Sequence, residues 1–179
     1  KFYNKCISAS IKPIIGCEIP LIINQEKRIE SIVLLCQNLD GYYNLNKILS
    51  YIHKSRSLHL GASIELLEKY NSNLLCLSGG RNGVCGLYGL SQPSSSIEDT
   101  LRNLSTIYNN RFYIEIDQTK RRNEGEYNNL ALSLAKKLDL PLVATNDVLF
   151  ISDSDYEANE VKVAINQKTK LDDRVNQND

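Results

Sequence analysis

The sequence predicts an α/β domain built around a largely parallel sheet. Short apolar runs alternate with longer amphipathic ones along the chain, no segment repeats at a fixed period, and composition does not shift from one end to the other. At 179 residues, 42% hydrophobic, the chain can bury a core without disulfides or metal. Its 21 Lys and Arg balance its 21 Asp and Glu, so no bulk field draws it to nucleic acid and any such contact must be local. No stretch approaches the ~20 apolar residues of a membrane span, and no charged-then-apolar leader is visible; the expectation is a cytoplasmic protein with no membrane partner. The five cysteines, Cys6, Cys17, Cys36, Cys76 and Cys85, contain no C-x-x-C and read as reduced, buried small hydrophobes.

The first apolar run, Pro13 to Ile19, reads as a strand, and Ser31 to Cys36 as a second. Asn38-Leu39-Asp40-Gly41 is a turn cluster that opens a helix, with Tyr42, Leu45, Ile48, Leu49 and Ile52 on one face as far as His53. Residues 55–61 read as a surface connection, followed by a short helix after Ser63 and a third strand at Leu74 to Leu77. That strand stops at Ser78-Gly79-Gly80, where glycines permit conformations other residues resist. The Gly- and Ser-rich stretch from Arg81 to Ser95 reads as loop with one helical turn. Ser96 with Asp99 forms a near capping box for a helix whose stripe is Ile97, Leu101, Leu104 and Ile107. Arg111 to Asp117 is the fourth strand. Tyr127, Leu130, Ala131, Leu134, Ala135 and Leu138 recur at helical spacing, and Pro141 to Thr145 is the fifth strand. Ser154 to Glu157 reads as a capping box for a last helix with Ala158, Val161, Ala164 and Ile165 inward; beyond Gln167 the chain turns polar. This gives a main domain over 1–167 and a polar segment over 168–179.

In such folds ligands gather at the carboxyl ends of the strands. The polar residues there are Glu18, Ser78, Glu115, Asp117, Asn146 and Asp147. Two of them, Glu18 and Asp147, end separate strands and could converge on a divalent cation, but a tight transition-metal site usually adds imidazole or thiolate. His53 and His59 lie in a helix end and a loop, and Cys17 alternates to the face opposite Glu18. No P-loop, nucleophile-elbow or zinc-protease motif occurs. Gly79-Gly80-Arg81-Asn82-Gly83 lacks the Lys-Ser/Thr of a phosphate loop, and Lys120-Arg121-Arg122 is a weak candidate for touching a nucleic-acid backbone.

Five segments together carry a resemblance: Ile11 to Glu18, Gly41-Tyr42 with Asn44-Leu45, Leu77 to Gly80, Arg111 to Glu115, and Val143 to Val148. In order and spacing they resemble the polymerase and histidinol phosphatase (PHP) domain that opens bacterial DNA polymerase III alpha subunits. The resemblance implies part of a distorted (β/α)7 barrel with the N-terminal strands, and their paired histidines, upstream of Lys1. It places the family's metal-ligand Glu at Glu18 and its Asp at Asp147. The ligand histidine of active members falls on Ser31, their cysteine on Gly80, and a further histidine on Leu149. The expectation is a silent scaffold with no catalytic residues, no metal and no cofactor of its own. Nucleotidyl transfer with magnesium would lie elsewhere in the polymerase. The implied partners are the proofreading exonuclease subunit, other replicase subunits, and DNA through the rest of the polymerase. The competing expectation is a working metal-dependent phosphoesterase or 3′–5′ proofreading exonuclease.

Overall fold

The computed structural model describes residues 1–23, 28–54, 61–86, 89–119 and 121–170. The chain forms two compact units, Lys1–Thr145 and Asn146–Asp179. In the first, α1 (Phe2–Ser8) precedes a hairpin of β1 (Gly16–Ile23) and β2 (Arg28–Cys36); α2 (Leu39–Lys54), α3 (Ile64–Tyr70), β3 (Leu74–Leu77), α4 (Ser94–Tyr108), β4 (Phe112–Asp117), α5 (Glu124–Leu138) and β5 (Leu142–Thr145) follow. Two 3₁₀ turns, Gly80–Asn82 and Gly89–Ser91, join β3 to α4. The five strands make one open sheet in the order β1-β2-β3-β4-β5. The architecture is mixed α/β and barrel-like without closure among the described residues.

The expected parallel order holds for β3, β4 and β5, while β2 is antiparallel to both neighbours. The first two apolar runs are therefore a hairpin and not successive β/α units. β1 also runs four residues past Ile19, through Pro20. The proline is tolerated because of where its backbone faces: Pro20 O accepts from Ala62 N at 2.8 Å, and Ile22 N donates to Ala62 O at 2.9 Å. The missing N–H thus lies on the side away from β2 and costs that ladder nothing.

Alternation puts Ile19, Leu21, Ile32, Leu34, Leu74, Cys76, Phe112 and Ile114 on one buried face of the sheet. Helix stripes cover it: Leu45, Ile48 and Ile52 from α2, Leu66 and Leu67 from α3, Ile97, Leu101, Leu104 and Tyr108 from α4, and Ala131, Leu134 and Ala135 from α5. Each buried Leu or Ile contributes roughly 1.5–3 kcal/mol of transfer free energy. The opposite face carries Glu18, Pro20, Ser31, Val33 and Tyr113, exposed or half-buried.

Local signals explain most helix starts. Asn38 Oδ1 accepts from Gly41 N at 3.0 Å, as the turn cluster predicts, and Ser63 Oγ accepts from Leu66 N at 3.3 Å. The expected Ser96–Asp99 box does not form. α4 begins two residues earlier, after Pro93, whose fixed φ suits a helix entry, and Ser94 Oγ instead donates to Glu98 Oε1 at 2.8 Å. In the second unit the capping box is Ser152 with Asp155 and opens the 3₁₀ turn Asp153–Asp155, not Ser154 with Glu157. α6 (Tyr156–Gln167) then buries Asn159 and Ala164, whereas Val161 and Ile165 are exposed, so its buried face is rotated from the one the apolar spacing predicts. Phe150 and Tyr156 meet edge to face, centroids 6.0 Å apart. The connection expected at 55–61 falls almost wholly outside the described residues. All five thiols are free. Cys76 and Cys85 are buried, but Cys6, Cys17 and Cys36 are only half-buried, a correction to their reading as core residues. Burial, helped by the charge of Glu30, pushes the Cys85 thiol up to about 12.

Candidate functional site at the strand ends

β1, β3, β4 and β5 run the same way, so their carboxyl ends share one edge of the sheet. The chain leaves β3 through Ser78 and Gly79. Gly79 sits at φ +88°, and a Cβ there would stand 2.0 Å from the Ser31 carbonyl oxygen, so only glycine fits where the turn crosses β2. Gly80 is also left-handed, at φ +53°, but a Cβ there would meet only Asp117 Oδ2, at 3.6 Å. Ser31 itself is half-buried opposite Pro20 and bridges to Gly83.

This turn closes over Glu115. Ser78 Oγ, fully buried, accepts from Glu115 N at 2.9 Å, and Glu115 Oε2 accepts from Gly79 N at 2.5 Å. Gly80 N–H and the Thr145 hydroxyl also donate to the carboxylate. Glu115 is only 7% exposed. Burial raises its pKa above the ordinary carboxylate value, the like charge of Glu18 adds to this, and the three donors oppose it. Glu18 is exposed, two positions before Pro20 on the same face of β1.

Two residues further along β4, Asp117 is fixed by α5. Tyr127 donates its hydroxyl to Asp117 Oδ1, while Asn128 accepts from Asp117 N at 3.3 Å and donates to Asp117 O at 2.6 Å. Burial, then the contact with Asp117, pushes the Tyr127 hydroxyl well above its usual range, so it stays a donor at any physiological pH. Beside them, Glu124 Oε2 accepts from the N–H and hydroxyl of Thr119, and Arg81 Nη1 donates to Arg122 O at 2.9 Å.

The structure thus brings Ser78, Gly80, Glu115 and Asp117 to one edge of the first unit, while Glu18, expected to end its strand, is third in β1, level with Leu77 at the end of β3, because the strand continues through Pro20 to Ile23. Asp147 and Leu149 lie in the second unit, both exposed, between β5 and the 3₁₀ turn. Arg121 is half-buried with its N–H on Glu124, Arg122 is exposed, and Lys120 lies outside the described residues, as does His59. His53 is exposed near the end of α2. Among the described residues, no three His, Cys, Asp or Glu side chains are grouped to hold a metal ion. The edge offers a buried carboxylate in a nest of backbone donors and an exposed one beside it. Sequence reasoning marked Glu115 and Asp117 but not the residues that hold them, Thr145, Tyr127 and Asn128. A Tyr-Asn pair in the first turn of the helix after β4 was the available signal.

Residues 1–119 match the family model described as PHP domain. The chain belongs to the PHP domain family. It is 34% identical over 177 residues to DNA polymerase III subunit alpha of Pasteurella multocida, over 176 to that of Pseudomonas aeruginosa, and over 178 to that of Escherichia coli K12, in each case across 97% of this chain and 15% of the relative. This PHP chain therefore spans about 15% of the length of the curated relatives it matches and is homologous to their PHP region. No helix among its described residues is long and apolar enough to cross a membrane.

Proposed function

We propose that this PHP chain is a catalytically silent scaffold within a replicative DNA polymerase III alpha subunit. The observation that carries the reading is the occupation of Glu115: the buried carboxylate at the strand ends is taken up by Gly79 N–H, Gly80 N–H and the Thr145 hydroxyl. A carboxylate held this way secures a turn and is poorly disposed to ligate a cation. The positions where active members carry imidazole or thiolate hold Ser31, Gly80 and Leu149. Glu18 and Asp147 persist as remnants, and two carboxylates without nitrogen or sulfur donors bind weakly and do not bring a bound water near neutral pKa.

On this reading the domain extends over 1–167, with 168–179 leading toward the rest of the polymerase. Magnesium-dependent nucleotidyl transfer belongs to another part of that protein, in the cytoplasm. The scaffold supports the polymerase and its proofreading exonuclease subunit. A metal-dependent phosphoesterase is the competing reading, and one observation favours it: Glu18 and Glu115 are near enough to repel, which a cation would relieve.

The test is phosphoester hydrolysis by the full-length protein, on a phosphomonoester and on DNA 3′ ends, with manganese or zinc supplied. No turnover attributable to this domain is expected. Metal-stimulated turnover lost in E18A or D147A would overturn the scaffold reading, and absence of primer extension by the same preparation would overturn the replicase context.

A further inference from the structure

The turn that leaves β3 holds the single Asn-Gly step of the chain, Asn82-Gly83. Asparagine followed by glycine is the pair most prone to deamidate, because no Cβ keeps the next peptide nitrogen away from the side-chain carbonyl carbon. Asn82 is exposed at the end of the 3₁₀ turn Gly80–Asn82, so water reaches its carboxamide. Gly83 is buried and bridged to Ser31 of β2, and a Cβ on it would stand 1.8 Å from the Ser78 carbonyl oxygen.

The reacting atom would be Gly83 N, and the fold holds it in place. Its N–H donates to Gly80 O at 3.1 Å; beyond it, Val84 N donates to Ser78 O at 3.1 Å and Gly86 N to Gly83 O at 2.9 Å. Cyclisation needs the bond to Gly80 broken and the nitrogen swung toward Asn82 Cγ. The front of the turn is held in its place by Glu115, whose carboxylate accepts from Gly79 N and Gly80 N. A reactive pair is thus kept apart by a buried side chain of β4.

We propose that Asn82 is a latent deamidation site whose conversion is governed by opening of the Glu115-held turn. In the open turn Gly83 N attacks Asn82 Cγ. The N–C bond forms, the bond from Cγ to the carboxamide nitrogen breaks, and the proton given up by Gly83 N leaves with that nitrogen as ammonia. Water then adds to either carbonyl of the cyclic imide, which opens to aspartate or isoaspartate at position 82. The isoaspartate product has one extra carbon in its main chain, next to a glycine with no room to shift against Ser78. The turn then fails to reclose and Glu115 loses the Gly79 N–H.

The experiment incubates the full-length protein at mildly alkaline pH, folded and in urea, and follows the peptide containing Asn82 by mass spectrometry after chromatographic separation of its aspartate and isoaspartate forms. Conversion at least about tenfold slower in the folded protein is expected, since local opening limits it there. In the folded state E115A should speed conversion about tenfold, as loss of a buried charged acceptor predicts, and E115Q by less; where E115A does not fold, E115Q carries the comparison. No conversion at Asn82 in urea, equal rates in the two states, or a folded rate unchanged in these variants would overturn the proposal. Hydrogen exchange reads the consequence: the Gly79 and Glu115 amides should exchange faster in the deamidated fraction than in N82D, which bears the same charge on an unlengthened main chain. Equal exchange would overturn the failure to reclose.

Discussion

Gly79 gives its backbone N–H to Glu115 Oε2 at 2.5 Å while its neighbour Ser78 receives the Glu115 N–H at 2.9 Å, so β3 and β4 are latched by a side chain of each across their carboxyl ends. The latch converts a carboxylate into a structural part of the turn. E115A strips the acceptor from buried donors and should cost about 1.5–3 kcal/mol by urea unfolding, whereas E115Q keeps one carbonyl acceptor and should cost less.

The same group sets a pH dependence. Burial raises the Glu115 pKa above its ordinary 4.5. The folded state therefore holds a proton that the unfolded state has already released, and stability from this residue is fully present below pH 4.5 and falls as pH rises through the folded-state value. E115Q should abolish that part of the slope; unfolding measured across pH 4–7 for both proteins checks it, and parallel curves would show the carboxylate to be indifferent.

The two glycines of the turn should respond differently to alanine. G79A drives a Cβ against the Ser31 carbonyl at φ +88° and should cost more than about 3 kcal/mol. G80A meets only Asp117 Oδ2, at an ordinary contact distance of 3.6 Å, and should cost only the left-handed penalty, about 1–2 kcal/mol. Thermal unfolding of the pair checks this, and equal losses would contradict the tight crossing of Gly79 with β2.

Helix caps offer a third comparison. S63A removes the acceptor for Leu66 N and should cost about 1 kcal/mol, while S96A, at the cap the sequence suggested, should change stability by less than about 0.5 kcal/mol. Equal losses would put the start of α4 back at Ser96.

Y127F, which removes the hydroxyl held by Asp117, should destabilise by about 1 kcal/mol in denaturant unfolding. No change would mean that Asn128 alone fixes the end of β4.

Much of this architecture is legible in the residues because burial imposes a period. The α2 and α5 stripes and the runs at β3, β4 and β5 each show one buried face, and the structure places them within a few residues of the expected bounds. The direction of β2 was hidden, because an apolar run states that a strand is buried without stating which way it runs. Apolar spacing stops β1 at Ile19, before Pro20, since a proline's tolerance depends on which side its backbone faces, and that is set by Ala62, 42 positions away. Candidate carboxylates were visible by type at Glu18, Glu115 and Asp117. Their engagement was not, because Glu115 is held by a left-handed turn and by Thr145, and neither contact leaves a trace in local spacing. α6 departs from its apolar spacing as well: Val161 and Ile165 lie exposed while Asn159 is buried.

The central claim is that this chain does not hold a catalytic metal centre, and the most direct measurement is the zinc and manganese content of the full-length protein, purified without chelator and quantified by inductively coupled plasma mass spectrometry. The account predicts well under one equivalent of either metal, unchanged in E18A and D147A. Two or more equivalents per chain that vanish in those variants would contradict it.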